Sequence, residues 1–217
     1  MNSLVDKLIL FALKMILKIH SFSYRLAGSL AQKVERDGLH PKHRLMNYHK
    51  FFVDNVSAND SVLDIGCGNG ALTYDVAKKA KKIVGIDLSE QNISFAKRKL
   101  SVKNIEYICG DALTNLPNGK FDVILLSNVL EHIEKRIEFL SSLKEKAPKF
   151  LIRVPVLNRS WIDLYKKELG LEYRLDKTHF IEYTFEGFKE ELDKAGLALL
   201  NYSIQFGEIW GIARKYQ

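Results

Sequence analysis

The stretch Ser61-Val62-Leu63-Asp64-Ile65-Gly66-Cys67-Gly68-Asn69-Gly70 decides the fold. A short apolar run ends in an acid, three glycines then alternate with other residues, and a helical pattern begins at Ala71 and runs to Lys81. That order reads as a strand, a tight loop and a helix, the first unit of an open α/β sheet. Glycines serve such a loop because, lacking Cβ atoms, they let the backbone turn sharply and let a flat ligand lie against it.

Two ligands compete for the loop. Gly66-x-Gly68-x-x-Ala71 satisfies the dinucleotide pattern, with Asp87 about twenty residues on to hold a ribose. Asp64 weighs against that reading, since a carboxylate at the loop entrance would repel a pyrophosphate. The sulfonium and ammonium groups of S-adenosylmethionine (SAM) would welcome it. The next strand, Lys82-Ile83-Val84-Gly85-Ile86-Asp87, ends in a carboxylate placed to accept both ribose hydroxyls. A third, Ile105-Glu106-Tyr107-Ile108-Cys109, leads into Gly110-Asp111-Ala112, where Asp111 can accept from an adenine amino group. A fourth, Phe121 to Leu126, runs into Ser127-Asn128-Val129-Leu130-Glu131-His132-Ile133.

With these four motifs in order, the sequence resembles the class I SAM-dependent methyltransferases, most closely the type 11-like group, over about residues 45 to 215. The resemblance rests on Val62 to Gly70, Gly85-Ile86-Asp87-Leu88-Ser89, Gly110-Asp111-Ala112 and Phe121-Asp122 through Leu130-Glu131-His132. It implies a Rossmann-like, seven-stranded, mostly parallel sheet with an antiparallel last strand and helices on both faces. SAM is the implied cofactor. The residues expected to hold it are Asp64, Gly66, Cys67, Gly68, Gly70, Asp87, Leu88, Asp111, Ala112 and Asn128.

At 217 residues the chain fits one α/β domain, expected from residue 41 to 217 behind an N-terminal helical extension at 1–40. Cys67 and Cys109 stand at the inner ends of expected core strands and read as reduced, buried thiols, as in a cytosol. Residues 1–50 carry nine Lys or Arg against three acids, so they hold +6 of the total net charge of +7. The remaining chain is near neutral, which weakens a nucleic-acid reading for the domain itself.

Leu4 to Ile19 is mostly apolar, with Lys7, Lys14 and Lys18 on one narrow helical face. It is too short and too charged to span a bilayer comfortably. Two readings stand: a helix that covers the substrate pocket or packs in a homodimer, and an interfacial helix on an anionic membrane. A cytoplasmic location, with peripheral contact at the inner membrane face as an option, follows from both. A second helix is expected from Ser21, stopping at Gly38, and a third over His40 to Phe52. Its Arg44 or Tyr48 could reach the cofactor's carboxylate end. His20, His40, His43 and His49 lack a carboxylate or cysteine partner at metal-ligand spacing, so no metal is expected.

Further helices are expected over Ser89–Leu100, capped by Ser89, over Ile133–Lys146, and from a Thr184 cap through Ala195. Phe150 to Val154 reads as the fifth strand, and Leu197–Gln205 and Ile209–Arg214 as the last two, joined at Gly207. Residues 156–183, with Trp161, Tyr165, Tyr173 and Tyr183, form an aromatic insertion that reads as substrate-facing.

Methyl transfer from a sulfonium is an in-line displacement governed by positioning, and an oxygen or nitrogen nucleophile must also lose a proton. His179 is the favoured base, with Asp176 to orient it, and His132 the second candidate. Asn128-Val129-Leu130 stands where base-amine methyltransferases carry an [Asn/Asp]-Pro-Pro-aromatic signature. The acidic pair of metal-dependent catechol methyltransferases and a suitably placed nucleophilic cysteine are also missing. A small-molecule or saccharide acceptor methylated at oxygen therefore leads. An RNA or protein methyltransferase docking through its basic extension, and a non-catalytic SAM-binding protein, are the alternatives.

Overall fold

The computed structural model describes residues 3–35 and 40–216. The chain divides into two compact units, Met1–Tyr48 with Ser160–Tyr173, and His49–Arg159 with Arg174–Gln217.

The first unit is helical and includes α7 (Trp161–Glu168). Its helix α1 (Leu4–Val34) opens on a capping box in which Ser3 and Asp6 exchange side-chain and backbone hydrogen bonds. The two helices expected on either side of His20 are this one continuous helix. No glycine or proline stands between residues 4 and 27 to break it. Ser21 and Ser23 turn their hydroxyls back onto the Leu17 and His20 carbonyls. The stop expected at Gly38 lies outside the described residues. Leu17 is buried, whereas Leu4, Leu8, Ile9, Ile16 and Ile19 are exposed. Among the described residues no helix is long and apolar enough to cross a membrane.

The helix expected over residues 40–52 is divided into α2 (Lys42–Met46) and α3 (Tyr48–Asp54). Asn47 causes the break: it adopts a left-handed backbone (φ 48°), which its short polar side chain tolerates.

The second unit holds the sheet, with strands β1 (Ser61–Ile65), β2 (Lys82–Asp87), β3 (Ile105–Cys109), β4 (Val123–Ser127), β5 (Lys149–Pro155), β6 (Leu197–Gln205) and β7 (Glu208–Lys215). Their order is β3-β2-β1-β4-β5-β7-β6. β1 to β5 pair in parallel, and β7 runs antiparallel to both β5 and β6. The central strands read as near-continuous apolar runs because both their faces are covered. Leu63 and Ile65, Val84 and Ile86, Ile124 and Leu126, and Phe150 and Ile152 join one core cluster. Helices α6 (Arg136–Leu143) and α8 (Phe185–Lys194) close that face through Phe139, Leu140, Leu143, Phe188 and Leu192. Alternation turns the intervening residues to the other face. There, α4 (Ala71–Ala77) contributes Thr73 against Asp64, and α5 (Glu90–Lys99) packs Ile93 and Ala96 with Cys67 and Tyr107.

Ser89 and Thr184 cap α5 and α8 as expected. The helix expected from Ile133 starts later, at Arg136, because Leu130–His132 forms a single 3-10 turn. Cys109 is exposed rather than buried, since it ends β3 at the sheet's edge; Cys67 is buried as expected. β1 lies between β2 and β4, so the connections leave it in opposite directions, and the crevice beyond the carboxyl ends of β1 and β4 is the place where such a sheet binds ligands.

Candidate active site

The loop after β1 occupies that crevice. Gly66 and Cys67 both donate their N–H groups to the Ile86 carbonyl, which pins the loop across the tip of β2. Gly66 has φ 67°, and a Cβ there would lie 2.7 Å from Val129 Cγ2. Only glycine fits between the loop and the segment after β4. Gly68 has φ 54°, and a Cβ there would meet nothing within 4 Å, so its outer side is open space. Gly70 is the left-handed N-cap of α4. Asp87 ties these parts together, with Oδ2 accepting from the Gly68 N–H at 2.9 Å and Oδ1 from the Ser89 N–H at 2.9 Å.

Asp64 does not stand at the loop entrance. It is 1% exposed, beneath the loop, and its Oδ2 accepts from the Thr73 hydroxyl at 2.6 Å. Burial pushes its carboxyl up to about 7, opposed by the Thr73 bond and reinforced by the charge of Asp87. The charge repulsion that set a pyrophosphate against SAM at this position therefore has no geometric basis here. Asp64 anchors α4 under the loop and positions the glycines. The Cys67 thiol is likewise pushed up, first by burial and then by Asp64 and Asp87.

Along the same edge, Leu88 is 73% exposed immediately after Asp87. Asp111 and Ala112 follow β3, half-buried, with Asp111 Oδ1 accepting from the Leu113 N–H. Asn128, after β4, has φ 56° and accepts from Arg153 Nε at 2.8 Å through its side chain. Arg153 also pairs with buried Glu208 at 2.9 Å.

Beyond Asn128 the structure brings together residues far apart in sequence. His132 and His179 meet edge to face, with ring centroids 4.6 Å apart. His132 Nδ1 contacts the Thr178 hydroxyl at 3.0 Å, and His179 Nδ1 contacts Glu182 Oε1 at 2.9 Å. Glu131 lies with them, and one ligand-type atom from each of Glu131, His132 and His179 falls within 4.8 Å of the others. Glu131 is fully buried, neither of its oxygens has a hydrogen-bond partner, and burial pushes its carboxyl up to about 7. Burial and then His179 hold the His132 imidazole down. The carboxylate that orients His179 is Glu182, not Asp176, which instead accepts from the Thr178 N–H and hydroxyl.

Residues 63–146 match the family described as a methyltransferase domain. Over that span the chain resembles the class I SAM-dependent methyltransferases. It is 36% identical over 122 residues to a ubiquinone biosynthesis O-methyltransferase of Bartonella tribocorum, a match covering 54% of this chain and 49% of that protein. A mitochondrial ubiquinone biosynthesis O-methyltransferase of Schizosaccharomyces pombe is 35% identical over 97 residues, covering 42% and 35%. The chain thus spans about half or less of the length of these curated relatives. Magnesium protoporphyrin IX methyltransferase from Synechocystis, solved with S-adenosylhomocysteine (SAH), shares the fold with a TM-score of 0.62 at 19% identity, over 81% of this chain and 83% of that one.

The methyltransferase loop fits SAM, the cofactor of this family. The open side of Gly68 leaves a shallow bed, Asp87 presents a carboxylate beside it, and Leu88 offers an apolar flank. Arg44 and Tyr48 belong to the other unit. There Arg44 pairs with Glu35 at 3.0 Å, and Tyr48 is buried with its hydroxyl 2.7 Å from His43 Nδ1. The sequence places Glu131 in the motif after β4 without marking a role for it, and it does not single out Glu182. The spacing of Glu182, three residues beyond His179 in a loop rich in polar residues, was the available signal.

Proposed function

We propose that this chain transfers the methyl group of SAM to an oxygen of a small-molecule acceptor. One observation carries the reading: Val129, packed on Gly66 of the cofactor loop, leads directly into Glu131 and His132, which meet His179. Polar groups able to handle an acceptor's proton thus stand one turn from the loop that would cradle the methyl donor. The names of the ubiquinone biosynthesis relatives favour an oxygen of a small molecule.

When bound, SAM supplies an electrophilic methyl group on a sulfonium. Asp87 would accept from the ribose hydroxyls while holding the Gly68 and Ser89 N–H groups. Gly66, Cys67, Gly68, Gly70 and Asn128 would shape the bed, Leu88 and Ala112 would flank the adenine, and Asp111 would accept from its amino group. Asp64 would hold the bed from below. His132 and His179 would face the acceptor, easing the loss of its hydroxyl proton as the oxygen attacks in line. Incubation of the full chain with methyl-labelled SAM and a panel of phenols, catechols and saccharides tests this. Label transfer to oxygen with stoichiometric SAH is expected. SAM binding without any turnover, or transfer only to RNA or protein, would overturn it.

A further inference from the structure

We propose that Glu131, His132 and His179 bind one divalent transition-metal cation, of zinc-like ligand preference, whose open position takes the acceptor's oxygen; this deepens the proposed function and rests on it. Three independent observations converge. The three side chains each offer a ligand atom within 4.8 Å of the others. A cation with bonds of about 2 Å holds tetrahedral ligands about 3.3 Å apart, so side-chain rotations have to draw these atoms in by up to about 1.5 Å. Both Glu131 oxygens are buried and lack hydrogen-bond partners, a costly arrangement unless something else satisfies them. The nearby Arg153 directs its Nε to Asn128 and Glu208.

The third observation is the outer layer. His179 Nδ1 is engaged by Glu182, and His132 Nδ1 by the Thr178 hydroxyl. That leaves Nε2 of each ring as the nitrogen to bind a cation. A ligating histidine is commonly oriented in this way, by a carboxylate or other partner on the ring nitrogen that does not bind the metal. Glu182 is itself fixed, accepting from Arg159 at 2.6 Å and from the Leu175 N–H at 2.6 Å. Nothing about this arrangement is needed for a histidine that merely packs.

The donor set selects the cation. Two imidazoles and one carboxylate suit zinc and its neighbours, whereas magnesium prefers six oxygens. Three protein ligands leave a further position, as in catalytic zinc sites. His132 is exposed, so that position can open outward. An acceptor hydroxyl held there loses its proton to water more readily. Its oxygen then forms the O–CH3 bond as the S–CH3 bond breaks, and the bonding pair leaves on the neutral thioether sulfur.

The test uses the full, untagged chain carrying Cys109→Ser, freed of metal with a chelator. Zn2+, Mn2+ and Mg2+ are titrated calorimetrically, Co2+ is followed by visible absorption, and SAM binding is measured on the same samples. One equivalent of Zn2+ should bind at least 100-fold more tightly than Mg2+. His132→Ala, which alters an exposed residue, and Glu131→Gln should each weaken Zn2+ at least 100-fold and abolish the cobalt bands, with SAM affinity unchanged. Absence of zinc binding, or zinc affinity retained in both variants, overturns the site, and intact SAM binding in those samples leaves the methyltransferase reading standing. Zinc binding lost in both variants, with no methyl transfer to any acceptor, supports the cation site and overturns the acceptor reading instead.

Discussion

Glu182 Oε1 lies 2.9 Å from His179 Nδ1, and the Glu182 side chain is completely buried. The same carboxylate accepts from Arg159 and from the Leu175 N–H, so it joins the two ends of the segment that carries His179. Such a residue acts on chemistry through the imidazole it orients and on stability through the charge it pairs.

These two effects separate in substitutions. Glu182→Gln keeps the shape and removes the charge, and should lower turnover about 10- to 100-fold with SAM affinity within twofold. Glu182→Ala also leaves the Arg159 guanidinium, 12% exposed at its side chain, without this partner. It should destabilise the fold by about 3–5 kcal/mol, the cost of breaking a buried pair. Denaturant unfolding and steady-state kinetics on the two variants check the split. Equal turnover in wild type and Glu182→Gln would remove the orienting role.

Asp87 is the carboxylate that holds the loop and that is proposed to hold the ribose. Asp87→Ala should weaken SAM by roughly 2–3 kcal/mol, the scale of a charge-assisted pair left unmade. Because Asp87 also holds the Gly68 and Ser89 N–H groups, Asp87→Asn should recover only part of that loss. Calorimetry that finds SAM affinity unchanged in Asp87→Ala would refute the assignment.

How much of this could be read beforehand differed by the range over which each feature is decided. The strand ends carrying Asp64, Asp87 and Asp111 are local apolar runs, and they were legible. So were Ser89 and Thr184, because a cap is a contact between near neighbours. The meeting of His132 with His179 depends on a contact across 46 residues between His132 and Thr178, which no periodicity reports. Asp64 was misplaced for a different reason. Its position at a strand end suggested a ligand, yet strand alternation turns it away from Leu63 and Ile65, toward Thr73 and the covered face. That alternation was in the sequence. The continuous α1 was missed because His20 and Ser21 look like a boundary, although a serine can satisfy itself inside a helix.

Gly66 tests the link between the cofactor loop and the acceptor side. Gly66→Ala places a methyl 2.7 Å from Val129 Cγ2 at a left-handed φ, so both strain and clash oppose it. A loss of about 1–3 kcal/mol in stability is expected from such a backbone position. In the double variant with Val129→Ala the clash is relieved and the strain is not. Partial recovery of stability and of SAM affinity should follow. Full recovery would show that the left-handed backbone imposes no constraint.

The buried carboxyl of Asp64 predicts a pH dependence of stability with a definite sign. Its folded value is about 7, against 3.8 for the free side chain, so between about pH 4 and 7 the folded protein retains a proton that the unfolded chain releases. Stability therefore falls as pH rises through that window and levels off above it. A shift of about three units corresponds to about 4 kcal/mol in all. Asp64→Asn is neutral at every pH and keeps an acceptor for the Thr73 hydroxyl. Other groups titrate in the same range, Glu131 among them, so the difference between wild type and variant is the quantity to read. Denaturant unfolding at pH 5, 6, 7 and 8 should show the variant gaining on wild type with each step and passing it by pH 8. Parallel curves would mean that Asp64 titrates as an ordinary carboxylate, in contact with water rather than sealed beneath the loop.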